Sequence, residues 1–246
     1  MSARRTLAVA SRVLTQVRRD RRTLAMLLLV PALLMVLLWW MFRDTPASPF
    51  DRFGPALLAI FPFVVMFLVT SVTTLRERSS GTLERLLAMP LGRLDLLLGY
   101  ALAFGLLAAL QSVVAVGVSV WPLGLEVEGS VPVLGVVAVA DAVLGTALGL
   151  FVSAFARTEF QAVQFMPVVV VPQLLLCGLF VAREDLPPAL EAVSDVLPLS
   201  YAVEALQEVG RSATATGTMW RDVGIVAGVA VLALALGAAT LRRRTN

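Results

Sequence analysis

Apolar residues in this chain gather into six blocks, separated by polar stretches. The blocks cover residues 23–42, 55–75, 96–120, 131–156, 161–182 and 223–241. About 20 apolar residues in an α-helix cross a hydrocarbon core roughly 30 Å thick. Trp39 and Trp40 close the first block, and Trp121 follows the third, where amphipathic rings suit the membrane–water interface. The pattern predicts an all-α polytopic membrane protein with six transmembrane helices, forming one domain over residues 1–246.

The polar stretches carry their own periodicity. Over residues 4–22, Leu7, Ala10, Leu14 and Val17 recur at helical spacing with Val13 beside them. Arg5, Arg12 and Arg19 recur on another face. This predicts an amphipathic helix in the membrane interface, its Arg face toward anionic lipid. Residues 76–95 are polar and hold four Arg. Within them, Ser80 and Gly81 suit a helix start, Glu84 suits a first turn, and Leu83, Leu86 and Leu87 share one face. Pro90 then stops the helix. Residues 183–222 include Leu199, Val203, Leu206 and Val209 at helical spacing, with Pro198 as a helix start.

Charge sets the orientation. Both termini fall on one side of six spans. The stretches on that side hold 15 Arg and the three opposite loops hold five. The positive-inside rule then predicts cytoplasmic N- and C-termini. Composition agrees with the pattern: 59% of residues are hydrophobic and 15% charged, against about 25% charged in soluble domains.

Two absences restrict the chemistry. With no His, a Ser-His-Asp triad, a His-ligated metal and a His proton relay are excluded, and no metal site is read here. All 20 basic residues are Arg, and a P-loop requires a Lys to reach the β/γ-phosphates. The chain is therefore not expected to hydrolyse ATP, nor to act as an enzyme. Nothing in it points to nucleic acid. The single Cys177 lies in an apolar run and reads as a small buried hydrophobe.

Asp141 is the one carboxylate well inside a predicted span. A charge at mid-bilayer costs at least about 2.5–3.5 kcal/mol on insertion scales, so it should face the bundle interior or a polar partner. Gln111 and Gln173 are candidate partners on neighbouring spans. The three could line a substrate path, or Asp141 could be a hydrogen-bonded structural pin. Gly145 and Gly149 form a GxxxG, as do Gly224 and Gly228, and small residues let membrane helices approach closely.

The stretch Glu77-x-x-x-Gly81-Thr82-Leu83-Glu84-x-Leu86, with Pro90 after it, resembles the signature of ABC-2-type transporter permeases. That family includes drug- and antibiotic-resistance exporters of bacteria, daunorubicin-resistance-like permeases among them. Phe155-Ala-Arg157-Thr158-Glu159, Gly178-Leu-Phe180 and Leu197-Pro198-Leu199-Ser-Tyr201 are similar to the family too. The resemblance implies that residues 4–22 are an elbow helix and that residues 76–95 carry a coupling helix. That helix would dock on an ABC ATP-binding subunit through Glu77, Gly81, Thr82, Leu83, Glu84, Leu86 and Leu87. Arg157, Thr158 and Glu159 would form a smaller second contact. ATP and Mg would sit on that partner, with no cofactor in this chain. Other partners would be a second permease copy or paralogue and membrane lipid. The short helices within residues 183–222 would cap the exit.

The function so implied is export of an amphipathic drug, antibiotic or lipid, driven by ATP hydrolysis on the partner. The rival from another class is an ion-coupled secondary carrier using Asp141. The thin supply of intramembrane charge and the lack of a clear repeat weigh against it.

Overall fold

A computed structural model of the chain describes residues 2–45, 49–81 and 92–240. Among the described residues the regular elements are helical. They are α1 (Ala3–Arg19), α2 (Arg21–Phe42), α3 (Pro49–Ser79), α4 (Arg93–Val120), α5 (Val131–Ser153) and α6 (Glu159–Leu176). A 3₁₀ turn at Arg183–Asp185, α7 (Pro188–Ser194), α8 (Pro198–Arg211) and α9 (Gly217–Thr240) follow. Six of them, α2 to α6 and α9, are long and apolar enough to cross a membrane. The chain is an all-α, multi-pass membrane protein.

The spans differ from the sequence expectation mainly at their ends. The fifth stops at Leu176, not at residue 182, because Gly178 takes a positive φ of 88° that a continuing helix cannot contain. Ser194 Oγ donates to the freed Leu176 carbonyl at 2.8 Å. The fourth ends at Ser153, three residues early. The sixth begins at Gly217, where Thr216 Oγ1 accepts from Met219 N–H at 3.1 Å. The second is 31 residues long and continues past the membrane block to Ser79. That extension makes Arg76, Glu77 and Arg78 helical, where the sequence suggested a loop.

α3 and α5 form the centre of the bundle. α3 packs on α2, α4, α5, α6 and α8. A Cβ added at Gly145 would lie 2.5 Å from the Phe63 carbonyl oxygen, and one at Gly149 2.5 Å from that of Phe67. The first GxxxG is thus the seam where the α3 and α5 backbones touch. Added Cβ atoms at Gly224 and Gly228 would meet open space, so the second GxxxG forms no such seam among the described residues.

α1 lies against α4, burying Val9, Ala10, Val13 and Val17, while Leu7 stays exposed. The buried stripe is therefore rotated from the one periodicity suggested. Gly99 explains the rotation: a Cβ there would come 2.6 Å from Val9 Cβ, so α1 seats on the small residue. Asp20 ends α1 and caps α2, accepting from Thr23 N–H at 3.2 Å and from Thr23 Oγ1 at 2.6 Å. Those hydrogen bonds hold its carboxyl below the usual range.

α8 closes the far end of the bundle, opposite α1. Leu199, Val203, Leu206 and Val209 are all buried in the main core, as their spacing predicted. Its C-terminal carbonyls at Val209 and Gly210 accept from Gly129 and Glu128 N–H, joining it to the α4–α5 loop.

Candidate functional site

The helical extension of α3 creates the densest set of polar links on the α1 side. Successive helical residues point about 100° apart, so three in a row face three directions. Here they meet three different helices. Arg76 donates through Nε and Nη2 to Glu159 Oε1 and Oε2 at 2.9 and 3.0 Å, reaching the start of α6. Glu77 accepts from Arg12 Nη1 and Nη2 of α1 at 3.5 and 3.4 Å. Arg78 Nη1 donates to the Ser153 carbonyl at 2.6 Å, satisfying the C-terminus of α5.

α3 then ends in a left-handed turn. Gly81 has φ of 71°, and its N–H bonds the Arg78 carbonyl at 3.3 Å. Gly81 therefore terminates α3, where the sequence suggested the start of the next helix. This is the ordinary glycine role just past a helix C-terminus. Thr82, Leu83, Glu84, Leu86 and Leu87 lie outside the described residues.

Beyond that segment the chain returns to α1. Asp95, in the first turn of α4, accepts from Ser2 N–H at 2.9 Å and from Gly92 N–H at 3.3 Å. α1 and its N-cap residue Ser2 thus hold both roots of the connection: Glu77 before it, through Arg12, and Asp95 after it, through Ser2.

The structure brings the two sequence-predicted contact regions together. Glu159 belongs to the second and is gripped by Arg76 of the first. Thr158 Oγ1 caps α6 by accepting from Gln161 N–H at 3.1 Å. Arg157 is exposed, and its backbone N–H donates to Gln161 Oε1 at 2.9 Å. Glu77 is only 3% exposed and faces α1, so its side chain shapes this region from within. Arg12, Arg76, Arg78 and Asp95 were not among the sequence candidates. For the three Arg the signal was present, since Arg12 sits in the seven-residue Arg row and Arg76 and Arg78 flank Glu77.

The three intramembrane polar residues do not form one cluster. Gln173 spends both ends of its amide locally: Nε2 donates to Val169 O at 2.9 Å, and Oε1 accepts from Leu199 N–H at 3.3 Å. It caps the N-terminus of α8, whose first N–H groups have no helical partner. Asp141 is fully buried, and neither carboxylate oxygen takes a hydrogen bond from the described residues. Gln111 is also fully buried, with both amide atoms unpartnered among the described residues. The link between their helices is instead Ser112 Oγ to the Ala138 carbonyl at 3.1 Å.

Comparison with known proteins bears on this geometry. The model of the ABC-2 type transporter family matches residues 4–209. A probable multidrug ABC transporter permease of Escherichia coli, YbhR, is 24% identical over 169 residues, covering 69% of this chain and 46% of its own. A second, YbhS, is 28% identical over 156 residues, covering 63% and 41%. ABC transporter G family member 20 of Dictyostelium discoideum is 27% identical over 165 residues, covering 67% and 23%. The matched region spans less than half the length of each of these relatives.

Proposed function

This chain belongs to the ABC-2 type transporter family, and from that premise we propose that it is the membrane-spanning permease subunit of an ATP-driven exporter. ATP and Mg bind on a separate ATP-binding subunit. The observation that carries the reading is the fan of contacts from Arg76, Glu77 and Arg78 to α6, α1 and α5. A force applied to residues 82–91 reaches α3 and α4 directly, and α1, α5 and α6 through those contacts. Residues 82–91 include Glu84 and the leucines Leu83, Leu86 and Leu87 at helical spacing, an amphipathic pattern that fits a groove on a partner. The Arg-rich α1 side faces the cytoplasm. Two such chains, identical or related, face one another and enclose the path. Its cargo is an amphipathic drug, antibiotic or lipid, a reading favoured by the multidrug names of two relatives.

One observation favours a second reading. Asp141 is buried without a donor among the described residues, which suits a cation site in an ion-coupled carrier. Transport into inside-out vesicles separates the two. With this chain and its ATPase subunit present, an amphipathic dye should accumulate on adding ATP and not on adding a non-hydrolysable analogue. Accumulation driven by a proton gradient, without the ATPase subunit and abolished by Asp141→Asn, would overturn the exporter reading.

A further inference from the structure

The far side of the bundle holds a cavity of about 750 Å³ that the coupling reading does not use. Sites for small molecules typically measure about 300–1,000 Å³. Its walls come from the first turn of α3, the turn after α6, the 3₁₀ turn, α7, α8 and the start of α9. Four of the five Arg on this side line it, so it draws most of the basic charge available there.

Some of that charge is already committed. Arg183 pairs with Asp195 and Glu204, and its guanidinium lies 4.6 Å from the Tyr201 ring centroid. Arg221 bonds Asp222 through Nε and Nη2 at 3.0 and 2.8 Å. These contacts fix the walls. Four lining charges remain without an ion pair among the described residues: Arg52 and Arg211, and Glu184 and Glu191. The lining also has an apolar part in Phe53, Leu179, Phe180 and Ile225.

Position along the chain adds to this. Arg52 stands three residues before the apolar block at Pro55, and Arg221 two before the block at Val223. The cavity therefore lies at the level where lipid head groups meet hydrocarbon. Two cations and two anions beside an apolar wall match a ligand with both charges and an alkyl chain. Arg favours bidentate contact with phosphate, and a carboxylate accepts from an ammonium.

We propose that this cavity binds the head group of a zwitterionic phospho-amphiphile. The phosphate meets Arg52 and Arg211, the ammonium meets Glu184 and Glu191, and the chain runs past Phe180. That such a ligand is the transported cargo rests on the permease reading; that it binds does not.

Binding of tritiated lysophosphatidylethanolamine to the purified full chain, in a neutral maltoside detergent without ATP, tests the site. The expected order of competitors is unlabelled lysophosphatidylethanolamine well ahead of anionic lysophosphatidylglycerol and of dodecylamine. Arg52→Gln with Arg211→Gln should weaken binding about tenfold or more. Glu184→Gln with Glu191→Gln should weaken it similarly and leave lysophosphatidylglycerol no worse. All four residues are exposed, and unchanged melting of each variant shows that folding is not the cause. Equal competition by tail-free O-phosphoethanolamine supports the site and assigns it a soluble zwitterion; competition by the lysolipid alone supports it with a lipid source. Equal competition by all charge types, or wild-type binding in both double variants, overturns the proposal whether or not an ATPase subunit is ever retained.

Discussion

Arg12 of α1 donates to both carboxylate oxygens of Glu77 at the end of α3, a contact between residues 65 apart in the chain. Glu77 is nearly fully buried, while the Arg12 side chain is 33% exposed. Breaking a fully buried pair costs about 3–5 kcal/mol, and partial exposure of Arg12 reduces that to roughly 1–3 kcal/mol. Glu77→Arg should lower the melting temperature in detergent by a corresponding amount. Arg12→Glu combined with Glu77→Arg should recover most of the loss. A double variant no better than the single one would show that the pair is not what joins α1 to α3.

Arg76 and Glu159 are a different case. Both are about half exposed, so their pair contributes less than about 1 kcal/mol despite its bidentate geometry. Glu159→Gln should leave melting unchanged. Under the exporter reading it should also lower the ratio of substrate moved to ATP hydrolysed, because α6 loses its link to α3. Proteoliposomes assayed for both quantities test this, and an unchanged ratio removes Glu159 from the coupling route.

The glycine seam gives a contrast within one chain. Gly145→Ala puts a methyl group against the Phe63 carbonyl, in backbone that cannot yield as a side chain does. Overpacking of that kind costs about 1–3 kcal/mol. Gly228→Ala meets open space and should be neutral. Equal yields and melting temperatures for the two would contradict the close approach of α3 and α5.

Asp141→Asn keeps shape and removes a buried ionisable carboxyl that no described residue satisfies. An isolated charge at mid-bilayer costs about 2.5–3.5 kcal/mol or more, so folded yield should hold or rise. If Asp141 lines the path, export of a cationic dye should fall while that of a neutral analogue holds. Parallel behaviour of the two dyes would end that role.

The six spans were legible because hydrophobic blocks of membrane length leave little choice of fold. The α8 helix was legible for a related reason, since Leu199, Val203, Leu206 and Val209 mark its buried face. What periodicity left open was which helix each face meets. Leu7 fits the same stripe as Val17 in sequence, yet Gly99 on α4 turns α1 so that Val9 is buried instead. The extension of α3 was hidden by its own charges: Arg76, Glu77 and Arg78 read as a loop because their partners lie on three distant helices. Gln173 read as a path residue because nothing in its neighbourhood announces the α8 N-terminus that it caps. The two GxxxG motifs are indistinguishable in sequence, and only packing separates them.

The central claim is that this permease takes its driving force from a separate ATP-binding subunit docked through residues 82–91. Co-purification in detergent with candidate ATPase subunits tests it most directly, with the wild-type chain beside a Glu84→Arg variant. One ATPase subunit should be retained by the wild type and lost with Glu84→Arg, while both chains melt alike. Retention of no ATPase subunit by either chain would contradict it.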